Sequence, residues 1–137
     1  MDVKNKRVVV TGAASGIGKA LCEAFHQAEA KTVIAVDMNL EGAQDTADSV
    51  NGIAVQANVG NEEEIINVIQ KADEHAGGTD IFCSNAGIGG VPGFFEVGAS
   101  DWQNIWDVNV QSHIFAAKHV LPQMIERGEG YLVNTSS

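Results

Sequence analysis

The 137-residue chain sets eight Lys and Arg against 18 Asp and Glu, a net charge of −10. That acidity argues against nucleic acid and against anionic membranes as partners, but not against the phosphates of a small cofactor, which backbone N–H groups hold without a basic patch. With 45% hydrophobic and 19% charged residues, one domain over residues 1–137 can bury a core. No apolar run approaches the roughly 20 residues of a membrane span and no signal-peptide core opens the chain, so a cytoplasmic protein is expected.

The first element is a β-branched run, Arg7, Val8, Val9, Val10 and Thr11, which stops in a glycine-rich turn, Gly12 to Gly18. A helical pattern follows, with Ile17, Ala20, Leu21, Ala24, Phe25 and Ala28 spaced along one face. Residues 31–37 read as a second strand ending in an acid. Asn39 caps a helix through Val50, with Leu40, Ala43, Ala47 and Val50 turned inward. Residues 53–57 form a third strand. Asn61 and the acids behind it open a helix with Ile65, Ile66, Ile69 and Ala72 on its apolar face, stopped by Gly77 and Gly78. Residues 80–84 form a fourth strand, followed by a glycine-rich loop to about Gly98. Ser100 is the expected cap of a long helix from Asp101 to Glu126, kinked by Pro122 near its end. Residues 131–135 form a fifth strand. Strict β-α alternation predicts an α/β fold, a doubly wound parallel sheet with right-handed crossovers and helices on both faces. The glycine loop on the first strand suggests the strand order 3-2-1-4-5.

Strand, glycine loop, helix is the order that anion binding needs. The first turn of a helix carries N–H groups without intrahelical partners, and glycines let a phosphate approach where a Cβ would block it. An ordinary strand–helix connection also tolerates a glycine or two; three at fixed offsets, Gly12, Gly16 and Gly18, favour a phosphate cradle. Asp37 lies 19 residues beyond Gly18, at a strand end, where an acid accepts both hydroxyl protons of an adenosine ribose; the competing role is helix capping. Met38 and Ser15 offer no cation for a 2′-phosphate, which favours NAD over NADP. Cys22 and Cys83 lack metal or redox spacing and read as buried free thiols. His26, His75, His113 and His119 read as structural or exposed, and no metal is expected. Trp102 and Trp106 are expected in the core or an interface.

The loop spacing, Thr11-Gly12-x-x-x-Gly16-x-Gly18, resembles the nucleotide loop of the short-chain dehydrogenase/reductase family, and further motifs follow in that family's order. The resemblance implies a Rossmann-type cofactor domain with Thr11, Gly12, Ser15, Gly16, Ile17 and Gly18 in the loop and Asp37 on the ribose. Asn58-Val59 stands where the family has an acid and an apolar residue against adenine; an amide retains an acceptor there. Asn85-Ala86-Gly87 matches the family's Asn-Ala-Gly, with Asn85 able to tie strand ends together; the competing reading of an Asn-x-Gly is a plain turn. Asn109, a mediocre helix residue in mid-pattern, matches a catalytic helper whose helix distortion orders water. Ser137 matches the serine that hydrogen-bonds the substrate oxygen.

The resemblance thus implies an NAD-dependent oxidoreductase of small alcohol or carbonyl substrates, with the loop over residues 88–97 as a local contributor to the substrate pocket. It also implies a homo-oligomer, since residues 112–126 resemble a helix of the family's dimer interface. The family's Tyr-x-x-x-Lys is not in this sequence. Tyr131 is the only tyrosine and has no lysine four residues on. The 137-residue chain alone is therefore expected to be inactive, and the alternative is a non-catalytic nucleotide-binding or interaction module.

Overall fold

The computed structural model describes residues 2–89, 93 and 95–136. Ser137 and part of the 88–97 loop lie outside the described residues. Five parallel strands, β1 (Arg7–Thr11), β2 (Thr32–Asp37), β3 (Ile53–Gln56), β4 (Ile81–Ser84) and β5 (Tyr131–Asn134), form one sheet in the order β3-β2-β1-β4-β5. Val9 pairs in register with Ile34 on one side and Phe82 on the other, so β1 is central.

Side-chain alternation along the strands fills two cores, as expected for a parallel sheet covered on both faces. Val8, Val10, Val33, Ala35 and Cys83 face α1 (Gly16–Gln27) and α2 (Leu40–Ser49). Val9, Ile34, Val36, Val55 and Phe82 face α3 (Glu62–Ala76) and α5 (Ser112–Arg127). Near-continuous β-branched runs are what strands buried on both faces require.

Helix ends follow their local chemistry. The Asn39 side chain accepts from Gly42 N and that of Asn61 from Glu63 N, while Gly77 and Gly128 end α3 and α5 in the left-handed region.

Several expectations are corrected. The buried stripe of α1 is Gly18 and Cys22, with Leu21 and Phe25 half-buried; Ile17, Ala20, Ala24 and Ala28 are exposed. Leu40, in the first turn of α2, is exposed rather than inward. The helix α4 (Ala99–Trp106) starts earlier than Asp101, with Gly98 as its cap residue; Asp101 Oδ2 accepts from Gly98 N at 2.9 Å, and Ser100 does not cap. The expected single long helix is instead α4, a π-helical turn at Asp107–Gln111, and α5. Trp102 and Trp106 do not enter the core: both are more than half exposed. They join Val110 and Ile114 at four-residue spacing and, beyond the exposed Lys118, Leu121 and Ile125 as exposed apolar residues.

Candidate dinucleotide site

The carboxyl ends of the strands bring the singled-out residues together. Thr11, at the end of β1, is buried, and its hydroxyl works inside the protein. Thr11 Oγ1 accepts from Asn85 N (2.9 Å) and Ala86 N (3.0 Å) and donates to Cys83 O (3.3 Å). It joins β1 to the turn after β4. Asn85 extends the link: its Nδ2 donates to Thr11 O at 3.0 Å, and its Oδ1 accepts from Thr135 Oγ1 at 3.1 Å. One side chain therefore holds the ends of three strands, β1, β4 and β5. The sequence pointed to Asn85 but not to Thr135, which carries no motif signal of its own.

Each loop glycine answers a different constraint. Gly12 has φ +70°, and a Cβ there would stand 2.9 Å from Ala86 Cα. A Cβ on Gly18 would collide with the Gly12 carbonyl, so only glycine lets α1 pack against the loop. Gly16 has φ +53° but nothing within 4 Å of a Cβ position, so the space over it is open. Ser15 occupies the cap position of α1 with extended backbone, yet its side chain makes no capping bond. The first turn of α1 contains no acid, whereas that of α3 contains Glu62, Glu63 and Glu64. Carboxylates offset the dipole of α3 internally; the first turn of α1 has no such carboxylate. Ile17 is exposed beside this opening. These features fit a pyrophosphate.

Asp37 ends β2 and is held by two backbone donors. Its Oδ2 accepts from Ala14 N at 3.0 Å and its Oδ1 from Asn39 N at 2.9 Å. The carboxylate thus spans the glycine loop and the start of α2, and it shares one cavity with Gly12, Met38, Ala57, Asn58, Val59, Ala86, Gly87, Ile88 and Val108. Both the ribose position and the local-anchor role suggested by sequence are compatible with this geometry, because each oxygen keeps acceptor capacity. Val59 is buried in the cavity wall. Asn58 Oδ1 accepts from Gly60 N at 3.0 Å, and Asn58 N donates to Glu64 Oε2 at 2.7 Å.

A second cavity adjoins the first. Asn85, Ala86, Gly87, Ile88, Gly89, Asn109, Val110, Thr135 and Ser136 line it. Asn109 sits in the π-helical turn, and its amide pairs twice with one residue: Oδ1 accepts from Ile88 N at 2.8 Å and Nδ2 donates to Ile88 O at 2.9 Å. The extra residue of the π turn aims that amide at the loop after β4, a use typical of such bulges. Gly87 lies under it, its Cβ position 3.4 Å from Asn109 Oδ1.

The thiols of Cys22 and Cys83 are buried, and burial pushes each up to about 12. His26 and His75 are exposed. His119 Nε2 stands 2.7 Å from Glu62 Oε1, and burial lowers the pKa of His113. Among the described residues no group of His, Cys, Asp and Glu is arranged to hold a metal, and no helix is long and apolar enough to cross a membrane.

A parallel sheet ordered 3-2-1-4-5, with a glycine loop after its central strand, defines a Rossmann-type dinucleotide-binding fold. The chain belongs to the short chain dehydrogenase family, whose model matches residues 6–137. It is 34% identical to glucose 1-dehydrogenase 2 of Bacillus subtilis, over 99% of this chain and 55% of that protein. It is 35% identical to an uncharacterized oxidoreductase of Staphylococcus aureus, over 97% of this chain and 58% of that protein. A short chain dehydrogenase/reductase of Burkholderia phymatum, solved in complex with NAD, superposes with a TM-score of 0.94 at 26% identity, covering all of this chain and 50% of that one. The hydroxysteroid dehydrogenase of Escherichia coli superposes with a TM-score of 0.90 at 28% identity, over 99% of this chain and 58% of that one. The chain therefore spans little more than half the length of the relatives it matches.

Proposed function

We propose that this chain forms the cofactor-binding part of an NAD-dependent oxidoreductase acting between an alcohol and a carbonyl. The observation that carries this reading is the Asp37 carboxylate, fixed by Ala14 N and Asn39 N in the same cavity as Gly12. In it, the backbone of Gly12, Ser15, Gly16, Ile17 and Gly18 cradles the pyrophosphate. Asp37 accepts from the ribose hydroxyls, and Asn58 and Val59 border the base. Thr11, Asn85 and Ala86 hold the strand ends in register, and Gly87 leaves the cofactor's path clear of a side chain. When bound, the nicotinamide supplies or takes the hydride. Asn109 fixes the loop beside the second cavity through Ile88, and Ser137 donates to the substrate oxygen. The exposed residues Trp106, Val110, Ile114, Leu121 and Ile125 support a homo-oligomer, because so long an apolar stripe is a usual mark of an interface.

A second reading is a nucleotide-binding module without catalysis. Tyr131 pairs in register with Ile81, at the amino-terminal end of β5, away from both cavities. It does not serve as the proton donor. The two readings part in one experiment: NAD reduction measured against an alcohol panel, with the 137-residue chain beside the longest product of its gene. The oxidoreductase reading expects turnover by the longer protein, and a loss for the shorter chain of at least the 10²–10⁴-fold that a general acid–base group typically contributes, about that order. A longer protein that binds NAD and turns over no substrate supports the module.

A further inference from the structure

A base-recognition inference follows from Asn58 and rests on the dinucleotide reading above. Asn58 borders both the Asp37 cavity and an adjoining one formed with Met38, Gln56, Ala57 and Glu64. Its backbone is tied down, with its N–H donating to Glu64 Oε2. Its side-chain amide is also oriented. Gly60 N–H must meet an oxygen, and the oxygen it meets is Asn58 Oδ1, at 3.0 Å. That bond settles which end of the amide is which: Oδ1 accepts from Gly60 N and keeps one lone pair, and Nδ2 has no partner among the described residues. The end of the Asn58 amide left wholly without a partner is therefore a donor. Ala57, Val59 and Val108 supply apolar walls suited to the flat faces of a base.

The two common purine edges differ at position 6. Adenine carries an amino donor there, flanked by the ring acceptors N1 and N7. Hypoxanthine carries a carbonyl acceptor. A carboxylate at position 58 would select the amino group and repel the carbonyl. An amide donor pairs with a ring nitrogen of adenine or with the carbonyl of hypoxanthine, and it requires no amino group. We infer that Asn58 presents a donor to the purine edge, so that the site takes 6-amino and 6-oxo purine dinucleotides with similar affinity.

The test is calorimetric titration of the full-length protein with NAD and with nicotinamide hypoxanthine dinucleotide, for wild type and Asn58→Asp. The wild type is expected to bind the two within about threefold. In Asn58→Asp one carboxylate oxygen keeps Gly60 N and the other faces the base, so NAD is preferred by about tenfold or more. Wild-type protein that favours NAD by tenfold or more overturns the inference alone, whatever the variant does. A variant that folds but keeps the wild-type ratio overturns it as well. Folded wild-type protein that binds neither dinucleotide overturns the dinucleotide reading itself.

Discussion

The two ends of the sheet are built from different chemistry. At the amino-terminal end, Asp80 accepts from Arg7 N (2.9 Å) and Arg7 Nε (2.7 Å), and its other oxygen pairs with Arg7 Nη2. Arg127 Nη2 donates to Thr79 O and stands 3.6 Å from Asp80, and Arg7 Nη1 donates to Gly77 O. Charged groups close that end, with the buried Thr79 hydroxyl left without a hydrogen-bond partner among the described residues. At the carboxyl end, neutral hydrogen bonds join Thr11, Asn85 and Thr135 to one another and Asn109 to Ile88, glycines replace side chains, and two cavities stay open. A charged clamp holds the strands where nothing has to enter. At the open end neutral cross-links join β1, β4 and β5, and the carboxylates of Asp37 and Glu64 accept from the backbone N–H groups of the loops around the cavity. Stability and binding should therefore separate along the strand direction.

The largest effect is expected at the closed end. Asp80→Ala leaves Arg7 half-buried without its partner and should cost about 3 kcal/mol in urea unfolding. Nucleotide affinity of the folded protein should stay within about twofold. The same clamp predicts an acid limb. Hydrogen bonds from Arg7 hold the Asp80 carboxyl below its ordinary value of 3.8. A carboxyl with a lowered folded pKa stabilises fully above its unfolded value, and the stabilisation is lost as pH falls through the folded one. Lys118 and His119 lower Glu62 in the same direction, at a more exposed place. Unfolding followed from pH 7 downward should show the loss below about pH 4, with a shallower limb in Asp80→Ala. An equal limb in both proteins would remove Asp80 from the account.

A smaller loss of stability, but a larger loss of binding, is expected at the open end. Gly18→Ala puts a Cβ against the Gly12 carbonyl, so the loop must shift. The cost should be about 2 kcal/mol, with NAD affinity falling at least about tenfold as the loop leaves its geometry. Gly16→Ala meets no atom and has only its φ of +53° to overcome, so it should destabilise less, by about 1 kcal/mol. Equal losses in the two variants would mean that conformation, not close approach, governs the loop.

The contrast between the ends also explains what could be read from sequence. The strands were legible because β1 and β2 are buried on both faces and show near-continuous β-branched runs; alternation implied the parallel sheet, and the glycine loop on the first strand suggested its order. Asn85 was legible as a strand tie because of its place at a strand's carboxyl end beside the first strand's loop; an Asn-x-Gly by itself is more often a plain turn. The face of α1 was not, because small residues such as Ala20 and Ala24 read as apolar whether or not they are covered. The π turn was signalled only by an asparagine in mid-helix, and the two hydrogen bonds it serves, both with Ile88, depend on a residue 21 positions away. The Arg7–Asp80–Arg127 clamp carried no sequence signal, since its members come from three separate elements or their flanks.

Asp37 tests the central claim most directly, because it joins the glycine loop to the cavity. Its carboxylate would gain hydrogen bonds from ribose hydroxyls, which are worth about 1.5–3 kcal/mol when one partner is charged. A 2′-phosphate in that position would forfeit them and add like-charge repulsion, with no cation at Met38 or Ser15 to offset it. The measurement is calorimetric titration of NAD and NADP against wild type and against Asp37→Ala combined with Met38→Arg. The account predicts that wild type prefers NAD by about tenfold or more, and that the double variant narrows or reverses the preference, because Arg holds a phosphate through two hydrogen bonds. Equal wild-type affinities, or an unchanged ratio in the variant, would contradict the placing of Asp37 on the ribose.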